Sequence, residues 1–151
     1  MKPKIFLAAD HAGFRLKEYI KKYLLKSGYE VEDKGAFSIN PNDDYPDFIL
    51  PAAKEVAKDP AARKGIVLGG SGQGEAIAAN KIRYIRAVVY YGGPSKILKL
   101  SKTHNNANIL SLGARFLTKD KAIKAVKLWL ATDFSNEARH ARRIAKVNKL
   151  K

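Results

Sequence analysis

The chain contains no cysteine, which excludes disulfides, thiolate-bound zinc, iron–sulfur clusters and a cysteine nucleophile. It has no apolar run approaching the ~20 residues of a membrane span. The N-terminal stretch MKPKIFLAADHAGF offers too short an apolar segment for a signal peptide, with Asp10 and His11 where a cleavage region would lie. A soluble, cytoplasmic protein is the expectation. Acidic residues are scarce as well: 14 Asp and Glu stand against 29 Lys and Arg, a net charge of +15, and none occurs between Ala76 and Lys119. Such a surplus suits nucleic acid, an acidic membrane or a phosphorylated metabolite, although excess lysine is most often a solvated surface. What remains is oxygen and nitrogen chemistry on a chain of 151 residues, the length of one domain.

Short β-rich runs alternate with helical patterns, the signature of βα units around a parallel sheet. Strands are expected at Lys4–Ala8, Tyr29–Asp33, Gly65–Leu68, Arg86–Tyr90 and Asn108–Leu112. Between them, Phe14–Leu25 places Leu16, Tyr19, Ile20, Tyr23 and Leu24 at helical spacing. The loop Ala36–Pro46, rich in Asn, Asp and Pro, leads into a helix near Phe48–Ala57. Further helices are expected from Glu75 to Lys81, over Ser95–Thr103 and over Thr118–Ala131, with Ser135 capping a last one through about Val147. No repeat, low-complexity tract or linker interrupts the pattern. The fold expected is therefore α/β: one Rossmann-like, open, doubly wound sheet of five parallel strands with helices on both faces. Such sheets bind ligands beyond the carboxyl ends of their strands.

Polar residues gather where the strands end. Asp10 and His11 follow the first strand; a helix-capping Asp with a surface His is the plain alternative. The third strand runs into Gly69-Gly70-Ser71-Gly72-Gln73-Gly74-Glu75, whose glycines free the backbone to turn its N–H groups toward an anion at a helix start. This is not a Walker A loop, which ends in Gly-Lys-Ser/Thr. It is not a dinucleotide fingerprint either, because the acid-free stretch removes the ribose-binding carboxylate. Glu75 in the first helical turn is either a favourable helix-start charge or a proton-abstracting base beside an oxyanion hole. A capping box does not account for it, because three residues after Ser71 stands Gly74. Thr103-His104-Asn105-Asn106 precedes the fifth strand, Gly113-Ala114-Arg115 follows it, and Arg139 and Arg143 share one face of the last helix. The arginines read either as a solvated basic face or as a fork for phosphate oxygens.

In order and spacing, these segments resemble the ribose-5-phosphate isomerase type B family, which includes galactose-6-phosphate isomerase subunits. The likeness spans nearly the whole chain: Ala9-Asp10-His11-Ala12-Gly13, Asp44-Tyr45-Pro46, the glycine loop running into Ile77-Ala78-Ala79-Asn80-Lys81, His104 to Asn108, Gly113-Ala114-Arg115, and Arg139-His140 with Arg143. One subtype of that family carries a cysteine base where this chain has Gly69. The other has glycine there and a glutamate base, as Glu75 would be. The resemblance implies one sugar-phosphate isomerase domain over residues 1–151 that converts an aldose to a ketose, most commonly ribose 5-phosphate to ribulose 5-phosphate. It implies Glu75 as base and Ser71 with the amides of Gly70, Gly72 and Gly74 holding the enediolate. Asp10 and His104 would assist ring opening, Asn105 would hold the intermediate, and His11, Arg115, Arg139 and Arg143 would bind phosphate. No cofactor is implied. The implied assembly is a homodimer with sites shared between subunits, the segment of His104 and Asn105 and the arginines coming from the neighbour, extendable to a tetramer, in which the C-terminal helix is an interface element.

The three histidines all have other roles in this scheme, which leaves no three-residue metal ligand set. Other readings of the chain are an isomerase of a six-carbon sugar phosphate such as allose or galactose 6-phosphate, a non-catalytic sugar-phosphate sensor, and a nucleic-acid-binding module. The sensor would require loss of Glu75 or His104, and the last would interleave aromatics with its basic residues, which Arg139–Lys151 does not.

Overall fold

The computed structural model describes residues 1–150. The apolar runs become five strands: β1 (Lys4–Ala9), β2 (Val31–Asp33), β3 (Arg63–Gly69), β4 (Ala87–Tyr90) and β5 (Ile109–Gly113). They pair as one sheet in the order β2-β1-β3-β5-β4, parallel throughout. The helices are α1 (Phe14–Lys26), α2 (Pro46–Lys58), α3 (Gln73–Ala79), α4 (Lys96–Thr103), α5 (Lys119–Ala131) and α6 (Ala138–Asn148), with a short 3₁₀ turn at Ala114–Phe116.

Alternation along the strands divides the core between the two faces. Ile5, Leu7 and Ala9 of β1 pack with Leu16, Ile20 and Leu24 of α1 and with Val126 and Trp129 of α5. Phe6 and Ala8 point the other way, against Ile49, Ala52, Ala53 and Val56 of α2. Burying both faces explains why the strands read as nearly continuous apolar runs. In α1, Leu16, Ile20 and Leu24 are buried while Tyr19, expected on the same stripe, is 38% exposed. Lys17 is fully buried on α1 and donates to Asp33 at the end of β2 at 2.6 Å. Burial alone would raise the Asp33 carboxyl, but hydrogen bonds from Lys17, Lys21 and the Gly35 N–H outweigh it and hold Asp33 below the usual range.

Two helix starts differ from expectation. Helix α2 begins at Pro46 rather than near Phe48, because proline at the first helical position loses no intrahelical bond and already has a helical φ. Helix α6 begins at Ala138 after Glu137, and Ser135 does not cap it; the Ser135 hydroxyl accepts instead from the Glu137 N–H at 3.4 Å. Thr118 does cap α5, accepting from the Lys121 N–H. Among the described residues, no helix is long and apolar enough to cross a membrane.

Candidate active site

From β1 the sheet extends to β2 on one side and to β3 on the other, with Ala9 level with Leu68. That change of direction opens a crevice beyond the carboxyl ends of β1 and β3. Asp10 and His11 leave β1, the glycine loop leaves β3, and Arg115 leaves the adjacent β5, so the fold delivers all of them to one end.

Glu75 is the centre of this group. It lies in the first turn of α3 and is only 4% exposed. Its carboxyl group occupies the space above Gly69: a Cβ on Gly69 would stand 1.7 Å from Glu75 Oε1 and 2.1 Å from its Cδ. Any side chain at 69 must therefore displace the carboxylate. Burial pushes the Glu75 carboxyl above the usual range; its own backbone N–H opposes the rise and the nearby Asp10 adds to it. A buried carboxylate made more basic in this way is suited to taking a proton from carbon.

The turn before α3 is clamped to β5. Ser111 Oγ donates to the Gly72 carbonyl at 2.7 Å and the Arg115 N–H donates to the Gly70 carbonyl at 3.1 Å. Gly72 has φ +79°, and a Cβ there would stand 3.0 Å from the Leu112 carbonyl carbon, so both conformation and contact require glycine. Ser71 is exposed on this turn, its hydroxyl accepting from the Gln73 N–H at 3.3 Å. Arg115 lies over Gly70, within about 3 Å of where a Cβ would stand.

Asp10 is buried, and its Oδ1 accepts from the N–H groups of Ala12 and Gly13 at 3.0 and 3.2 Å. It closes the turn ahead of α1, whose N-cap is Gly13. His11 is oriented by a residue that the sequence reading does not single out: Asp43 Oδ1 stands 2.6 Å from His11 Nδ1 and also accepts the His11 N–H at 3.2 Å. With Nδ1 committed to a carboxylate, Nε2 is the nitrogen left to meet a ligand. The Asp-Asp pair following Asn42 is the only signal that could have pointed to Asp43; in the sequence it reads as an ordinary polar loop. Asp43 also corrects the expectation that no three-residue donor set exists, because Asp10, His11 and Asp43 bring three donor atoms within 4.8 Å of one another.

The remaining candidates lie elsewhere. Helix α4 follows β4 and runs back along the sheet, so His104 and Asn105 sit at the amino ends of the strands, ahead of β5 and opposite Glu75. His104 stacks on His140 of α6 with ring centroids 4.2 Å apart. Burial holds the His140 pKa below the usual histidine value, assisted by His104, Arg139 and Arg143 and opposed by Glu137. Arg139 and Arg143 are exposed on the same helix, of which only His140 is buried. One chain thus divides these residues between the two ends of its sheet. A helix following a parallel strand must return the chain to the amino end.

A family model described as Ribose/Galactose Isomerase matches residues 5–147. The chain is 42% identical over 141 residues to ribose-5-phosphate isomerase B of Mycolicibacterium paratuberculosis, covering 93% of this chain and 87% of that protein. Among solved structures, ribose-5-phosphate isomerase B from Mycoplasma genitalium with bound ribulose 5-phosphate superposes with a TM-score of 0.93 at 38% identity, covering 99% of this chain and 96% of that one. The corresponding protein from Thermotoga maritima gives 0.90 at 41% identity, covering 99% of this chain and 100% of that one.

Proposed function

The chain belongs to the ribose/galactose isomerase family, and from that premise we propose that it is an aldose–ketose isomerase interconverting ribose 5-phosphate and ribulose 5-phosphate. The observation that carries this reading is the buried Glu75 carboxylate, seated in the space above Gly69 beside a glycine turn.

In the open-chain aldose the proton on C2 lies next to the C1 carbonyl. Glu75 takes that proton, the C2–H electron pair becomes the C1–C2 double bond, and negative charge develops on the C1 oxygen. The Ser71 hydroxyl and the amides of Gly70, Gly72 and Gly74 stabilise this oxygen through dipoles already fixed by the turn. Glu75 then returns the proton to C1 while the C2 hydroxyl proton passes to the C1 oxygen, which gives the ketose. Burial makes the base stronger. His11, oriented by Asp43, and Arg115 receive the phosphate at this end.

One chain presents only half of this apparatus. His104 and Asn105, assigned to ring opening and to holding the intermediate, and Arg139 and Arg143, assigned to phosphate, lie at the opposite end of the sheet. A second copy completes the site by bringing its amino-end residues against the first chain's carboxyl end, with Asp10 assisting His104 in ring opening. The almost uncovered α6 supplies a surface for that contact. A homodimer with two shared sites is the smallest assembly that satisfies this.

Turnover of ribose 5-phosphate, allose 6-phosphate and galactose 6-phosphate by the purified protein tests the reading. Ribose 5-phosphate is expected to have the highest kcat/KM. A six-carbon substrate preferred by tenfold or more would reassign the enzyme within its family, and inactivity on all three would reject catalysis.

A further inference from the structure

The isomerase reaction leaves one group of buried charges unused. At the amino end of the sheet, Lys64 from the start of β3, Arg86 from the turn before β4 and Lys102 from the last turn of α4 line a cavity of about 320 Å³, with Asp133 and Phe134 at its edge. Lys64, Lys102 and Asp133 also line an adjoining cavity of about 230 Å³. Lys64 is 9% exposed and Lys102 5% exposed.

Lysines this buried are ordinarily paired with a carboxylate, and these are not. Lys64 donates to the carbonyls of Pro60 and Ala61 at 2.5 and 3.1 Å. Arg86 donates to the carbonyls of Asn105 at 3.0 Å, Asn106 at 3.0 and 3.1 Å and Tyr84 at 3.2 Å, and to Asn148 Oδ1 at 3.4 Å, none of them a carboxylate. Lys102 has no hydrogen-bond or carboxylate partner among the described residues; its ammonium lies 4.5 Å from the Trp129 ring centroid. Burial, Lys64 and Arg86 together push Lys102 down to about 8, with only Asp133 opposing them. Three cations, offset only by the carboxylates of Asp133 and Asp59, neither of which contacts them, line a half-open socket that lacks its anion.

We propose that this cavity binds a small phosphorylated metabolite, its phosphate held by Lys102, Lys64 and Arg86. The two lysines are too deeply buried for the backbone of a nucleic acid duplex to reach them, which favours a compact ligand. The two adjoining cavities leave room for more than a phosphate group. None of the lining residues is assigned to the isomerase chemistry. Arg86, however, also holds the carbonyls of Asn105 and Asn106, so a ligand that draws on Arg86 bears on the segment carrying His104. This last link rests on the proposed function; the binding site itself does not.

Calorimetric titration of the full chain with pyrophosphate tests the site. The Arg139→Ala/Arg143→Ala protein serves as background, so that phosphate binding at the catalytic centre is weakened. One site per chain is expected to persist in that background, and adding Lys102→Met is expected to weaken it by about tenfold or more. Lys102→Arg should retain it. Thermal melts in parallel separate lost binding from lost folding: pyrophosphate should raise the Tm of the background protein and leave that of the Lys102→Met protein unmoved. Equal binding with and without Lys102→Met, or no binding in the background, would overturn the proposal. An oligonucleotide whose binding falls with Lys102→Met as steeply as that of pyrophosphate would overturn the small-ligand class. These readouts stand even if the protein turns over none of the sugars tested.

Discussion

Outside the Lys17–Asp33 ion pair, the two ends of the sheet bury charge of opposite sign. At the carboxyl end, apart from that pair beside β2, the buried charged side chains are the acids Asp10, Glu75 and Asp43, set among backbone amides. At the amino end they are Lys64, Lys102 and His140, with carbonyls and aromatic rings around them. Buried charge is costly, so each set points to what its end is built to meet. Acids beside amides suit moving a proton and holding a developing oxyanion. Bases without acids suit an anion that arrives from outside. The net charge of +15 is therefore not only a solvated surface; part of it is interior, and at the amino end it lacks paired carboxylates.

The sharpest way to break this comparison is to neutralise the central acid. Glu75→Gln is nearly isosteric but cannot accept the C2 proton, so kcat should fall by roughly 10²-fold or more; retention of more than about a tenth of the kcat would name another base. The pH profile is part of the same measurement. Because the folded-state pKa of Glu75 is raised above its ordinary 4.5, activity should fall with acidification at a midpoint above that value. The sign for stability is opposite to that for an ion-paired acid: protonated Glu75 favours the fold, and that contribution is lost as pH rises through the raised pKa. Glu75→Gln is therefore expected to melt no lower than the parent at neutral pH.

Next in size is Gly69→Ala, which adds one carbon where the carboxylate now lies. Displacing a base by an ångström can cost up to ~10²-fold, so kcat should drop sharply while circular dichroism stays native. An unchanged kcat would show that the space above Gly69 is not where the base works.

A smaller effect tests whether the two ends of different chains meet. Arg139→Ala and Arg143→Ala each remove a charge-assisted bond of roughly 1.5–3 kcal/mol, which should appear as a raised KM and weakened inhibition by inorganic phosphate. Mixing Glu75→Gln with Arg139→Ala protein should restore activity, with about a quarter of the sites intact after random exchange into dimers. Confirmed exchange without recovery would confine the site to one chain.

The smallest expected effect is none. Dialysis against EDTA should leave activity unchanged, since stabilisation of the enediolate is assigned to Ser71 and the loop amides. A loss reversed by Mg²⁺, Mn²⁺ or Zn²⁺ would instead assign work to the donor set of Asp10, His11 and Asp43.

Much of the fold was legible because strands buried on both faces are marked by apolar runs, and because Gly69 to Gly74 has no plausible setting other than a tight strand-to-helix turn. The place of Glu75 in the helix turn that follows was legible for the same reason, whereas its role as base came only from the resemblance. Asp43 was not, because its pairing with His11 spans 32 positions and its loop is polar throughout. The residues alone did not show the division between two ends, because adjacency in a list of motifs says nothing about which way a helix runs; only the resemblance assigned His104, Asn105 and the arginines to a neighbouring subunit. Nor could the sequence distinguish Lys64 and Lys102 from the exposed lysines, since composition assigns every lysine to the surface, and only the packing of α4 over Trp129 takes one inside.

The crowding of Gly69 and Glu75 also bears on how such an enzyme can change over generations. A thiol borne at position 69 and a carboxylate reaching back from position 75 claim the same few cubic ångströms, so neither base can be added while the other stays in place. The first step from one to the other, whichever residue changes, passes through a chain whose proton carrier is either missing or pushed aside. An exchange of one base for the other would thus need both positions to change together, although the sheet and the turn can stay as they are.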